Sequence, residues 1–84
     1  MFSYEFTFRS MTAAQSGRNV LLRAGLHPEL RRAAQSLSRQ GCSYALHLPA
    51  REGARAAGLL RSYQTAYSHI FRVYPDGRTE EAVL

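Results

Sequence analysis

The chain reads as an α+β sandwich of ferredoxin-like topology: a four-stranded antiparallel sheet with two helices on one face. Three observations predict it. Residues 2–9, FSYEFTFR, alternate strictly between aromatic and polar side chains, the period of a half-buried strand. Two Ala- and Leu-rich stretches of helical spacing end near Ala24 and Tyr63. Strand-like runs separate and follow them, so the order is β-α-β-β-α-β, the split βαβ unit.

The first strand directs Phe2, Tyr4, Phe6 and Phe8 to the core and Ser3, Glu5, Thr7 and Arg9 away from it. Ser10 or Thr12 then offers an N-cap. The first helix should carry Ala13, Val20, Leu21 and Ala24 near its apolar stripe. Gly17 either weakens that helix or admits a close neighbour. Gly25 stands where a left-handed C-cap belongs. Leu26 to about Arg32 reads as a short second strand, and Pro28, lacking an N–H, assigns it to a sheet edge. Residues 33–41, AAQSLSRQG, read as a loop or a partial helical turn.

Alternation returns in CSYALHL, with Tyr44, Leu46 and Leu48 inward and Ser43, Ala45 and His47 outward. Pro49 suits the first turn of a second helix. That helix should run to about Tyr63 with Gly53, Ala56, Ala57 and Leu60 inward. The last strand spans Tyr67 to Tyr74, its outer face carrying Ile70, Arg72 and Tyr74. Pro75-Asp76-Gly77 is a turn: proline fixes φ and glycine takes the positive φ. One domain therefore covers residues 1–75, and residues 76–84 form a tail or a short hairpin strand.

Eighty-four residues leave no room for a separate cofactor domain. The net charge is +5, and every one of the 11 basic side chains is arginine. These are scattered, so no basic tail is expected. One cysteine, Cys42, excludes an intramolecular disulfide and a Cys-rich zinc site. The start of the sequence, MFSYE, lacks a basic and apolar leader, and no apolar run reaches bilayer length. A cytoplasmic protein without membrane contact is the expectation. His27, His47 and His69 fall on three strands, with His27 and His47 outward and His69 sharing parity with Tyr67, Phe71 and Val73. No metal site and no cofactor are expected from them. RNA-recognition modules share this topology but expose aromatics on their open face, whereas the aromatics of the first strand serve the core. Specific nucleic-acid recognition is therefore not expected. The open sheet face could pair with a second copy as a homodimer.

Topology directs attention to Cys42. In this arrangement the turn before the third strand lies at the end where the first strand passes into the first helix. Cys42 is then expected near Arg9, Ser10, Thr12 and the first amides of that helix. A helix N-terminus and a guanidinium both favour a thiolate. Gly41 gives backbone access, and Ser43 can donate to a sulfur anion.

The stretches YEFTFRSMTAAQSGRNVLLRAGL, LSRQGCSYALHL, ARAAGLLRS and YSHIFRVY resemble a small bacterial family of selenium/sulfur-carrier-like proteins. The resemblance covers about residues 4–74, and LSRQGCSYAL is its most specific part. The chain departs from the family in having Gly41 before the cysteine and Ser43 after it, where the family places glycine after the cysteine. The resemblance implies that Cys42 holds sulfur or selenium as a persulfide or selenopersulfide. It also implies persulfide or selenium donor and acceptor proteins as partners; the topology, not the resemblance, sets Arg9, Ser10, Thr12, Gly41 and Ser43 around the anion. The alternative is an interaction or regulatory module without catalysis, in which the cysteine is structural.

Overall fold

A computed structural model of the chain describes residues 1–33 and 44–84. Its elements are β1 (Ser3–Phe8), α1 (Met11–Arg23), β2 (Glu29–Arg32), β3 (Tyr44–Pro49), α2 (Gly53–Ser62), β4 (His69–Val73) and β5 (Thr79–Ala82). One 3-10 turn, Ala50–Glu52, leads from β3 into α2. The protein is a small α+β fold with a five-stranded sheet in the order β2-β3-β1-β4-β5. All neighbouring strands are antiparallel.

The expected four strands become five because the C-terminal residues pair. Gly77 sits at φ +88, its N–H bonds to the Tyr74 carbonyl at 2.9 Å, and the Tyr74 N–H bonds to the Arg78 carbonyl at 2.8 Å. The Asp76 side chain accepts from the Arg78 N–H at 2.9 Å. The turn thus returns Thr79–Ala82 alongside β4, with Ala82 opposite Ile70 and buried.

β1 lies in the middle of the sheet. Tyr4, Phe6 and Phe8 face the helices, with Phe6 opposite Leu46 on one side and Ile70 on the other. Phe6, Phe8, Leu21, Leu46, Leu48 and Leu60 are fully buried together. The helices reach this layer at two glycines. A Cβ on Gly17 would stand 3.0 Å from the Phe8 ring, and one on Gly53 would collide with the Tyr4 ring. Ala56, Ala57 and Leu60 of α2 are buried as the spacing requires. In α1 the buried positions are Ala14, Gly17 and Leu21, with Ala13 and Val20 at the border.

Both helices end in left-handed caps. After α1, the Leu26 N–H returns to the Leu21 carbonyl at 3.0 Å and the Gly25 N–H to that of Leu22 at 3.0 Å, with Gly25 at φ +84. This six-to-one closure turns Leu26 into the core. Leu26 is thereby removed from the second strand, which begins at Glu29 and not at Leu26 as the sequence suggests. Arg55 adds a bond to the Ala24 carbonyl at 3.1 Å. After α2, Gln64 takes the left-handed position at φ 54, and the Thr65 N–H reaches the Leu60 carbonyl at 2.8 Å.

The parity of the last strand is opposite to the expectation. Ile70 points to the helices and is 3% exposed, while His69, Phe71 and Val73 occupy the open face opposite Thr7, Glu5 and Ser3. The expected outer set of Ile70, Arg72 and Tyr74 is thus the inner set. Tyr67, just before β4, still meets the Phe6 ring edge-on at 5.3 Å. β2 takes the edge position that Pro28 implied.

Two substitutions separate the packing roles of glycine in α2. Gly53→Ala must displace the Tyr4 ring and should cost about 1–3 kcal/mol in denaturant unfolding. Gly58→Ala meets open space and should be neutral or stabilise by up to about 1 kcal/mol. Equal effects at the two sites would contradict the described packing. Gln64→Gly relieves a left-handed non-glycine residue and should raise the melting temperature by several degrees, corresponding to about 1 kcal/mol.

Candidate functional site

The end of the sheet where β1 passes into α1 gathers several polar groups. Tyr44, the first residue of β3, is paired with Phe8, the last of β1. The chain then leaves β1 through Arg9 and Ser10. The Ser10 side chain accepts from the Ala13 N–H at 3.1 Å and so serves as the N-cap of α1. Its oxygen is committed to the helix. Thr12 is exposed in the first turn, which contains no acidic residue. Arg9 is exposed beside a cleft of about 430 Å³ lined by Arg9, Ala13, Ala66, Tyr67, Ser68 and His69.

This cleft unites Arg9, expected at the site from the sequence, with Tyr67, Ser68 and His69, of which only His69 is weighed from the sequence, as a metal ligand. The inverted parity of β4 hid His69, whereas Tyr67 and Ser68 precede that strand and carried no sequence signal for a site. The Ser68 N–H bonds to the Thr7 carbonyl at 2.7 Å, and the His69 N–H bonds to the Thr7 hydroxyl at 3.2 Å, which fixes the cleft floor to β1. His69 Nδ1 lies 2.9 Å from a Glu81 carboxylate oxygen on β5. That bond sets which ring nitrogen remains for other partners. Of the remaining sequence candidates, Gly41, Cys42 and Ser43 lie outside the described residues. Among the described residues no group of three or more His, Cys, Asp or Glu is placed to hold a metal ion. No described helix is long and apolar enough to cross a membrane.

The other titratable clusters hold the fold together. The Glu5 carboxylate, 6% exposed on the open face of the central strand, lies 3.1 Å from His47 Nδ1 and 3.7 Å from an Arg31 guanidinium nitrogen. At the far end of the hairpin, Glu80 accepts from the Tyr74 hydroxyl at 2.8 Å and from Arg72 at 3.1 Å. The Tyr74 bond, helped by Arg72, holds the Glu80 carboxyl below its ordinary value. The same bond, with burial and the Glu80 charge, holds the Tyr74 hydroxyl above its own against the opposing pull of Arg72 and Arg78. Arg72 also spreads over the Phe2 and Tyr4 rings at 5.9 and 6.0 Å, and Arg78 stacks on Tyr74 at 4.3 Å.

His27, expected on the outer face of the second strand, instead precedes it and meets Glu52. The buried Glu52 carboxylate accepts from the His27 backbone N–H at 2.9 Å and faces its Nδ1 at 2.8 Å. Burial pushes the Glu52 carboxyl up. The two His27 bonds and nearby Arg51 outweigh burial and hold it below the ordinary value.

No family model, no curated protein and no solved structure matches the chain.

The depressed Glu52 carboxyl contributes stability that is complete above the unfolded carboxylate pKa, about 4.3, and fades as the pH falls through the lower folded value. Glu52→Gln should therefore be less stable than wild type at pH 7, by about 1–3 kcal/mol. The gap should narrow on acidification below about pH 4. Melting temperatures of both proteins from pH 7 to pH 3 check this, and a gap that widens in acid would contradict the assignment.

Proposed function

We propose that the chain is a carrier of sulfur or selenium, held on Cys42 as a persulfide or selenopersulfide, on a ferredoxin-like fold extended by one hairpin strand. The observation that carries this reading is the pairing of Tyr44 with Phe8. Cys42 precedes Tyr44 by two residues in the sequence. Phe8 opens directly onto Arg9 and the acid-free start of α1. An Arg guanidinium and helix amides are the groups that lower the cost of a sulfur anion.

The transfer conserves atoms and electrons. The Cys42 thiolate attacks the terminal sulfur of a donor persulfide, and a new S–S bond forms on Cys42. The donor S–S bond breaks, and its electron pair leaves with the donor sulfur as a thiolate. An acceptor nucleophile later removes the same outer sulfur by the same displacement, restoring the Cys42 thiolate. No metal, cofactor or second cysteine takes part in either step. The cleft lined by Arg9, Ser68 and His69 offers donors that can hold the outer anion between the two steps. Lone reduced thiols persist in the cytoplasm, which is where this chemistry belongs.

Incubation of the native protein with a small persulfide donor, followed by intact mass measurement, should show the gain of one sulfur that Cys42→Ala abolishes. Iodoacetamide labelling across pH should give an apparent thiol pKa below the ordinary value of about 8.5, and Arg9→Gln should raise it. A native thiol that neither labels nor gains sulfur would instead support a structural cysteine in an interaction module.

A further inference from the structure

The two edges of the sheet differ in what they can accept. β5 carries the adjacent acids Glu80 and Glu81. Antiparallel pairing of β5 with a copy of itself, centred on either acid, would oppose like charges, a standard protection of a free edge. β2, the other edge among the described residues, reads Glu29-Leu30-Arg31-Arg32. Glu29 and Arg31 lie on the open face, opposite His47 and Ala45 of β3. Leu30 lies on the helix face opposite Leu46, half-buried at the border of the core.

We propose that β2 is a homodimerisation edge, pairing with β2 of a second copy so that one sheet runs through both. A two-fold axis perpendicular to the sheet keeps the helices of both copies on the same side and makes the pairing antiparallel. Directly opposed residues must then share a face, which limits the choice of register. Centring the axis on Glu29 sets carboxylate against carboxylate, and centring it on Arg31 sets guanidinium against guanidinium. Centring it on Leu30 sets Leu30 against its own copy on the helix face. The same register sets Glu29 against the partner's Arg31 and Arg31 against the partner's Glu29 on the open face. The sequence of β2 thus selects one register by charge and covers its half-buried leucine in that register.

Within one chain Arg31 already donates to Glu29 through Nε at 2.8 Å and lies 3.7 Å from Glu5. Guanidinium and carboxylate are therefore held side by side along the edge. In the dimer each shifts to an opposite charge across the axis. Arg32 stays over the Tyr44 ring of its own chain at 5.7 Å, clear of the Leu30 contact. The occupant is a second copy because only a palindromic arrangement satisfies both charges twice. This inference does not depend on the chemistry proposed for Cys42.

Analytical ultracentrifugation of the whole chain over a range of concentrations tests it. Wild type should dimerise. Arg31→Glu and Glu29→Arg, each alone, should weaken dimerisation by about tenfold or more, since two like-charge contacts replace two attractive ones. The double reversal Glu29→Arg with Arg31→Glu should restore it. Circular dichroism guards against misfolding of Arg31→Glu, which also loses Glu5, and Glu29→Arg alone remains informative if that variant fails. Leu30→Cys in a Cys42→Ala background should give an oxidised dimer, because paired edge strands bring opposed Cα atoms within disulfide range. A wild type that stays monomeric overturns the proposal. So does a dimer indifferent to both single reversals, which would direct attention to the open sheet face instead. Sulfur loading of Cys42 should be unchanged in the charge variants, so the two readings fail separately.

Discussion

The fold depends on how closely two helices can approach the aromatic row of β1. This strand is paired on both sides, so it cannot move to accommodate its cover. Phe6 and Phe8 are fully buried and Tyr4 nearly so. Each helix meets the row at a position without a Cβ, α1 at Gly17 and α2 at Gly53. Small residues on a helix allow close packing without voids. A thin core in a chain of this size needs that density, because it has few other apolar contacts to draw on.

Around this centre, polar groups are used mainly to close ends. Ser10 opens α1, and Gly25 and Gln64 close α1 and α2. Glu52 ties the entry of α2 to the segment before β2 through His27. Glu80, Tyr74 and Arg72 lock the β4–β5 hairpin. The open face holds a buried carboxylate, Glu5, within reach of His47 and Arg31, which arrive from β3 and β2. Removing one partner of such a group costs more than the pair contributes, because the remaining charge is left in a poorly solvated place. These carboxylates are accounted for by the architecture. The cleft beside Arg9 is held to β1 by the Thr7 bonds at its floor and to β5 by the contact of His69 with Glu81.

Much of the fold was legible because its signals are local. Strict alternation in residues 2–9 identified the first strand and its buried face. Gly25 and the Pro75-Asp76-Gly77 turn were readable because positive φ and fixed φ belong to particular residue types. The buried face of α2 followed from spacing alone. The last strand failed for a physical reason. Both of its parities carry apolar and aromatic side chains, Ile70 and Tyr74 on one and Phe71 and Val73 on the other, so period alone does not choose a face. The opposition of Ile70 to Phe6 chooses it. The same inversion hid His69 from the candidate site, although Arg9 was recognised.

The sequence by itself determined the class of fold, the first strand with its buried face, the caps of α1, the edge position of β2 and the presence of one lone thiol. These depend on backbone conformations and periodicities that a few neighbouring residues specify. Tertiary structure decided the parity of β4, the pairing of β5, and the meetings of Glu5 with His47 and of Glu52 with His27. Those contacts join residues 42 and 25 positions apart. Their energies depend on strand register and burial, and neither exists until the chain has closed on itself.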